Sequence, residues 1–247
     1  MSKRDEIFSN KLENITPFRF NDEVANAFDD MVERSIPNYN EIHKIIIDLV
    51  TRYYPGSGIV YDLGCSTGTT IQMLEKIFVE KNRFISFVGV DTSVPMLEKA
   101  KEKCEKVREV TFLAEDMSEV ELKDAKVVIL NYTLQFFQQE GRVEFLKKIY
   151  KSLSQGGILI LSEKIKSKGT LMQDCITDLY YDFKRRNGYS ELEISQKREA
   201  LENVLVPITP EEQVEMLKVA GFQESEMLFR WYNFASFLAI KTKEDGV

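Results

Sequence analysis

The chain contains few of the residues that build zinc sites in proteins. Its 247 residues include one histidine and three cysteines, and Cys65, Cys104 and Cys175 lie far apart with no Cys-x-x-Cys pair. These spacings exclude the common zinc-ligand patterns. The sequence therefore predicts a protein without a metal, and scattered cysteines are typical of a reducing cytoplasm.

Negative charge exceeds positive charge in the chain, and long apolar runs are absent from it. The formal net charge is −7, and the field of such a chain repels a nucleic-acid backbone. Apolar runs such as 158–161 are far shorter than the roughly 20 residues of a membrane helix, and the chain turns polar directly after Met1. We expect a cytoplasmic protein with no direct nucleic-acid contact and no membrane segment.

Hydrophobic periodicity predicts a single α/β domain over residues 1–247. Two amphipathic helices are expected over residues 21–54. Short apolar runs then alternate with amphipathic helices, which is typical of parallel βαβ units. The strands are expected over 59–63, 84–90, 110–113, 127–130 and 158–162, and the helices over 69–78, 95–107 and 143–153.

The last third of the chain departs from that alternation. A helical insertion is expected at about 168–205, where Ser190 and Glu193 have the spacing of a capping box. Two strands, 227–232 and 234–240, are expected to follow. The sequence thus predicts a doubly wound, mostly parallel sheet with a terminal antiparallel strand pair.

A glycine turn follows the first predicted strand. Residues 62–68 read Asp-Leu-Gly-Cys-Ser-Thr-Gly and lead into a predicted helix, a junction where backbone N–H groups approach a ligand. A dinucleotide fingerprint would need glycine at Ser66 and Thr69, and a P-loop would need Lys-Ser/Thr after Gly68. The segment instead resembles the first motif of class I S-adenosylmethionine-dependent methyltransferases, whose Rossmann-like fold it implies.

Polar residues end or follow the next three predicted strands. Asp91 ends the second strand, where a carboxylate accepts hydrogen bonds from ribose hydroxyls. Asp116 follows the third strand, where it can accept from the adenine amino group, and Asn131 ends the fourth. Each alone is also compatible with a helix cap or a turn. Their succession at neighbouring strand ends favours binding of S-adenosylmethionine.

A long segment points to a narrower family. Residues 182–198 read Asp-Phe-Lys-Arg-Arg-Asn-Gly-Tyr-Ser-Glu-Leu-Glu-Ile-Ser-Gln-Lys-Arg. Together with 33–39, 61–66, 131–136 and 161–164, this segment resembles the carboxy-S-adenosylmethionine synthases. The resemblance extends from about Arg4 to Ala239.

That resemblance implies a homodimer that converts S-adenosyl-L-methionine and prephenate into carboxy-S-adenosyl-L-methionine, phenylpyruvate and water. The product would be the carboxymethyl donor for a separate tRNA carboxymethyltransferase that modifies a wobble uridine. The resemblance also implies that Arg198 faces the new carboxylate, reaching across the dimer. The implied contacts to S-adenosylmethionine are Tyr39, Gly64, Cys65, Ser66, Asp91, Thr92, Asp116, Met117 and Asn131.

The implied chemistry needs no dedicated general base, so no catalytic residue is assigned. Prephenate can lose its ring carboxylate and hydroxyl together as it becomes aromatic, which delivers carbon dioxide and a base in one pocket, while the protein positions the reactants and excludes water. We expect His43 to face solvent and Lys184, Arg185 and Arg186 to form a solvated helix face. Cys65 is interpreted as a packing residue because no base partner is visible.

Two other functions remain open at this point. One is an ordinary methyltransferase acting on a small molecule, whose site would lack a cation at the transferred group. The other is a catalytically silent subunit that binds the cofactor and regulates a partner by dimerising with it.

Overall fold

One seven-stranded sheet forms the centre of the computed structural model, which describes residues 3–242. The strands are Ile59–Leu63 (β1), Ser86–Val90 (β2), Val110–Leu113 (β3), Ala125–Asn131 (β4), Leu153–Lys164 (β5), Glu224–Trp231 (β6) and Phe234–Ile240 (β7). Their order is β3-β2-β1-β4-β5-β7-β6. Strands β1 to β5 are parallel, and β7 pairs antiparallel with both β5 and β6. The predicted fold class is confirmed.

The helices account for both predicted helical regions. Helices α1 and α2 are the expected N-terminal pair, and α6 and α7 form the insertion. Within residues 3–242, none of the helices combines the length and hydropathy of a membrane span. The helices are Asp22–Ser35 (α1), Tyr39–Tyr53 (α2), Thr69–Glu80 (α3), Val94–Lys103 (α4), Arg142–Ser152 (α5), Thr170–Arg186 (α6), Glu191–Leu201 (α7) and Pro210–Ala220 (α8).

The central strands are buried on both faces, which explains their nearly continuous apolar sequence. In β4, Val128 and Leu130 pack into one apolar cluster and Val127 and Ile129 into another. The sheet therefore fixes the positions of its strand ends from both sides.

Local sequence signals predict the starts of the helices well and the bounds of some strands less well. The predicted capping box is present, because the Ser190 hydroxyl accepts from the N–H of Glu193 while the Glu193 carboxylate accepts from the N–H of Ser190 at 2.7 Å. Strand β5 begins earlier than expected, at Leu153, which pairs with Ala125 across an irregular register. Residues 1–2 and 243–247, which the single-domain prediction includes, lie outside the described residues.

Candidate active site

A cavity of about 640 Å³ lies beyond the carboxyl ends of the parallel strands. Its walls also include residues of α1, α2, α6 and α7. Every predicted site residue lines it, namely Tyr39, Gly64, Cys65, Ser66, Asp91, Thr92, Asp116, Met117, Asn131 and Arg198. The structure therefore brings these residues together, and their contact with a ligand stays a prediction.

The turn after β1 requires glycine at its first position. Gly64 has φ of +80°, and a Cβ there would overlap the side chain of Thr133. The N–H groups of Gly64 and Cys65 both donate to the carbonyl of Val90, at 2.7 and 3.0 Å. The end of β1 is thereby tied to the end of β2, and the backbone can approach a ligand closely.

Asp91 connects the same two strand ends through its side chain. One carboxylate oxygen accepts the N–H of Ser66 at 3.0 Å, and the other accepts the N–H of Ser93 at 2.9 Å. Burial raises the pKa of Asp91, while these N–H groups lower it. A carboxylate has about four acceptor sites, so this one keeps capacity for ligand hydroxyls.

Three neighbouring polar groups have no hydrogen-bond partner among residues 3–242. Asp62, from the first motif, is 2% exposed and lines the cavity. One carboxylate oxygen of Asp62, the amide oxygen of Asn131 and the hydroxyl of Tyr132 are buried without a hydrogen bond to any described residue. Since buried polar groups normally find partners, these atoms fit a polar ligand.

Asp62 was missing from the predicted contacts, although the motif signalled an acid there. Burial raises its pKa to about 7, and the nearby Asp91 adds to the effect. A cationic ligand group next to Asp62 would favour its charged form. Asp62 is therefore suited to a positively charged group of a ligand.

Asp116 and Tyr39 line the cavity from different elements, Asp116 after β3 and Tyr39 at the start of α2. Asp116 is exposed and accepts the N–H and hydroxyl of Ser118 at 2.8 and 2.7 Å. The Tyr39 ring lies 4.6 Å from the ring of His43, centroid to centroid. Tyr39 is thus positioned by its own helix.

The prediction that His43 faces solvent is wrong. The ring is 1% exposed, with Nδ1 3.1 Å from the carbonyl of Tyr39 and Nε2 3.3 Å from the hydroxyl of Thr70. Helix α3 covers this side of α2, and burial lowers the pKa of His43. His43 therefore supports Tyr39 and Thr70, which both line the cavity.

Cys65 has the environment of a packing residue. It is buried, and burial raises the pKa of its thiol well above the usual value, with Asp62 and Asp91 adding to the effect. Such surroundings disfavour the reactive thiolate.

The opposite end of the cavity is cationic. Lys164 at the end of β5, Lys184 on α6, and Lys197 and Arg198 on α7 all line it. The prediction of a solvated face is wrong for Lys184, which is 4% exposed. Lys184 lies one turn after the buried Tyr180 and so shares its inward face.

The prediction holds for the next two residues. Arg185 and Arg186 are exposed, and Arg185 pairs with Asp182 at 2.7 Å. Arg198 is also exposed, and its side chain forms no ion pair or hydrogen bond with another residue of 3–242. It lines the cavity of its own chain, and its reach across a dimer stays a prediction.

Among the described residues, no group of three or more metal-binding side chains is arranged to hold a metal ion.

Comparison with known proteins shows similarity along nearly the whole chain. A methyltransferase domain model matches residues 60–157. The chain is 46% identical to the carboxy-S-adenosyl-L-methionine synthase of Desulfotalea psychrophila, over 97% of this chain and 98% of that protein. It is 42% identical to the protein of the same name from Nautilia profundicola, over 96% and 99% of the two chains.

Solved structures share the fold at low sequence identity. Human N-acetylserotonin methyltransferase in complex with S-adenosylmethionine has a TM-score of 0.62 and 16% identity, covering 90% of this chain and 56% of that one. Magnesium protoporphyrin IX methyltransferase from Synechocystis has a TM-score of 0.60 and 16% identity, covering 86% and 87%. These similarities show the class I methyltransferase fold alone.

Proposed function

The chain belongs to the carboxy-S-adenosyl-L-methionine synthase family, and from that premise we propose that it converts S-adenosyl-L-methionine and prephenate into carboxy-S-adenosyl-L-methionine, phenylpyruvate and water. The observation that carries this proposal is the distribution of charge in the cavity. Carboxylates lie at the ends of β1 and β2, and cations lie at the end of β5 and on α6 and α7. A cation next to a sulfonium methyl is repulsive, whereas an anionic co-substrate requires one.

The acidic end suits S-adenosylmethionine. Asp116 would accept from the adenine amino group and Asp91 from the ribose hydroxyls, following the order of β3 and β2 in the sheet. The Gly64 turn and Asp62 would lie by the methionine part, with Asn131 on the far side of it. The partnerless oxygens of Asp62 and Asn131 support this orientation.

The overall reaction balances without a further reactant. In prephenate the bond from the ring to its carboxylate breaks, and the ring hydroxyl leaves with its electron pair as the ring becomes aromatic. The hydroxyl takes one proton from the sulfonium methyl and leaves as water, and the methyl carbon bonds to the carbon of the released carbon dioxide. Bound S-adenosylmethionine supplies a methyl group whose hydrogens are acidified by the sulfonium.

The protein contributes to this reaction by positioning the two substrates and by pairing with their charged groups. Both substrates must be held in one cavity with their reacting carbons in contact, which removes much of the entropic barrier. Arg198 can pair with the new carboxylate through two parallel hydrogen bonds. Cys65 takes no part, since burial holds its thiol protonated.

A homodimer is part of the proposal. Leu171, Cys175 and Leu179 lie at intervals of one helical turn on α6 and are exposed, as is Met172. An exposed apolar stripe of this kind suits an interface with a second copy. Analytical ultracentrifugation tests it, and a monomer at working concentrations would contradict it.

We also place the protein in the cytoplasm, upstream of a tRNA carboxymethyltransferase that consumes its product. The net charge of −7 leaves tRNA binding to that second enzyme. Gel-shift titration with tRNA should show no complex.

The test of the reaction is the identity of the nucleoside product. Purified protein is incubated with S-adenosylmethionine and prephenate, and the products are weighed by mass spectrometry, with prephenate omitted as the control. Carboxy-S-adenosylmethionine formed only with prephenate, together with phenylpyruvate, supports the proposal. S-adenosylhomocysteine would indicate an ordinary methyltransferase, and no turnover would indicate a silent subunit.

A further inference from the structure

Two lysines at the cationic end of the cavity form no ion pair with a carboxylate of residues 3–242. The ammonium nitrogen of Lys164 lies 5.2 Å from the centroid of the Tyr180 ring, and that of Lys184 lies 5.7 Å from the same centroid. Neither ammonium group forms a hydrogen bond or ion pair with another residue of 3–242. Two like charges are thus held near one ring inside a cavity wall.

Lys197 is a contrasting case on the next helix. Its ammonium group lies 3.3 Å from the Asp5 carboxylate, which also accepts the hydroxyl of Tyr189 at 2.6 Å. Asp5 therefore balances Lys197. Lys184 is also buried but lacks such a partner, and a buried ammonium group is costly unless an anion or hydrogen-bond acceptor meets it.

The sheet order shows which substrate would meet the lysines. Along the sheet edge, Asp116, Asp91, the Gly64 turn, Asn131 and Lys164 follow strands β3, β2, β1, β4 and β5 in spatial order. If S-adenosylmethionine occupies the first four positions, its methionine part lies towards β4. The lysines then lie beyond it, on the side that the second substrate must occupy.

The walls around the lysines also suit a ring compound. Tyr180 and Phe234 line the cavity with their ring centroids 5.3 Å apart. The hydroxyl of Tyr180 donates to the carbonyl of Ser35 at 3.0 Å, which fixes the position of the ring near the two ammonium groups.

We propose that Lys164 and Lys184 bind the carboxylate that prephenate keeps, the one on its pyruvyl side chain, while Arg198 serves the carboxylate that is transferred. This inference rests on the proposed function. Lys164 is anchored on β5 and Lys184 on the inward face of α6, so both suit a group that stays in place during the reaction. Arg198 is exposed, and its long side chain can follow a carboxylate that moves onto the sulfonium methyl.

The protonation of these lysines supports the assignment. Burial lowers the pKa of Lys164 to about 8. Burial lowers the pKa of Lys184 to about 7, and repulsion from Lys197 and Lys164 adds to the effect while the carboxylates of Asp5 and Glu193 oppose it. An anion between the lysines would favour their charged forms. The charged or titratable groups that face Lys184 are Lys164 on β5, Tyr180 on α6, Tyr189 between α6 and α7, Glu193 and Lys197 on α7, and Asp5.

The experiment compares Lys184→Met and Lys164→Met with a matched control, Lys166→Met. Lys166 is exposed, lies two residues beyond Lys164 and does not line this cavity. The KM for prephenate is measured at saturating S-adenosylmethionine, and the Kd of phenylpyruvate is measured by calorimetry. We expect each cavity variant to weaken both ligands by roughly 10- to 150-fold, the loss of one charge-assisted hydrogen bond. S-adenosylmethionine affinity and the control variant should be unchanged.

Lys184→Arg serves as the rescue variant. It should recover much of the prephenate affinity, and its KM should rise less than that of wild type as the pH is raised from about 7 to about 9, because guanidinium stays protonated. A merely structural lysine would not produce this change in the pH profile. Melting curves check folding, and Lys184→Met should fold because it removes an unbalanced buried charge.

Three outcomes would overturn the inference. A weakened affinity for prephenate with an unchanged affinity for phenylpyruvate would assign the lysines to the transferred carboxylate. An unchanged KM for prephenate in folded variants would remove the lysines from the site, and an equal loss of S-adenosylmethionine affinity would make them structural. A wild-type protein that makes no carboxylated product refutes the proposed function and the inference with it, whereas active wild type with unaffected variants refutes the inference alone.

Discussion

The two ends of the cavity carry opposite charges in the same kind of environment. At the β1–β2 end, Asp62 is buried with one carboxylate oxygen lacking a partner. At the β5–α6 end, Lys184 is buried with no ion-pair partner among residues 3–242. Burial moves both pKa values towards neutrality, to about 7 in each case, upwards for Asp62 and downwards for Lys184.

That symmetry gives one cavity two separate binding preferences. A cationic group is favoured next to Asp62 and an anionic group next to Lys184. S-adenosylmethionine carries a sulfonium, an ammonium group and one carboxylate and is cationic overall, whereas prephenate carries two carboxylates and is anionic. Charge alone can therefore place each substrate at its own end.

The largest expected effect comes from removing a carboxylate at the acidic end of the cavity. Asp91→Ala should weaken S-adenosylmethionine by about 2 to 4 kcal/mol, because two charge-assisted hydrogen bonds to the ribose are only partly replaced by water. Calorimetric titration measures the change, and Asp91→Asn, which keeps one acceptor oxygen, should lose less. Unchanged affinity in a folded Asp91→Ala protein would remove this residue from the site.

Arg198 offers a comparable effect at the cationic end. Arg198→Ala should weaken carboxy-S-adenosylmethionine by about 2 to 4 kcal/mol while barely changing S-adenosylmethionine, because guanidinium pairs with a carboxylate and is repelled by a sulfonium. Arg198→Lys should recover only part of the affinity for carboxy-S-adenosylmethionine, since an ammonium group keeps the charge but cannot form the two parallel hydrogen bonds of a guanidinium. Both ligands are titrated into each variant, and ultracentrifugation shows that the dimer persists. An equal loss for both ligands with the dimer intact would make the residue structural.

A smaller effect is expected in how the affinity for each substrate depends on pH. Asp62 must be deprotonated to bind a cation and the lysines must be protonated to bind an anion, so the two substrates should respond to pH with opposite signs. Raising the pH from about 6 to about 8 should strengthen S-adenosylmethionine by up to about tenfold in total, because the pKa of Asp62 is about 7, and should weaken prephenate above about pH 7. Asp62→Asn should flatten the first profile and leave the second. Parallel pH profiles for the two ligands would contradict the assignment.

The smallest effect concerns Cys65. Cys65→Ala should keep substantial turnover, because burial holds the thiol protonated and the proposed reaction needs no nucleophile. Steady-state kinetics with product detection measures it. Loss of several orders of magnitude with S-adenosylmethionine binding intact would reveal a covalent role for the thiol.

The two ends also differed in how well they could be predicted. The acidic end follows from strand positions: once Asp91 and Asp116 are placed after β2 and β3, parallel pairing brings them to one edge of the sheet. The glycine turn was recognisable for a similar reason, because Gly64 has a positive φ that favours glycine. Local pattern and global fold agree there.

The cationic end could not be derived in the same way. A lysine on a helix is normally exposed, and only the tertiary position of α6 makes Lys184 an exception while Arg185 stays exposed. His43 was mispredicted for the same reason, since its neighbour Lys44 is exposed and nothing local showed that α3 covers the histidine. Burial of polar residues between helices depends on contacts that have no local sequence signal.

The most direct test follows the transferred carbon. Prephenate labelled with carbon-13 in its ring carboxylate is supplied with S-adenosylmethionine to wild-type protein and to Lys184→Met, and the nucleoside products and phenylpyruvate are weighed. If the two substrates are held at opposite ends of one cavity, the label should appear in carboxy-S-adenosylmethionine and not in phenylpyruvate. The Lys184→Met variant should need far more prephenate to form the labelled product. Unlabelled carboxy-S-adenosylmethionine, or S-adenosylhomocysteine in its place, would contradict the account.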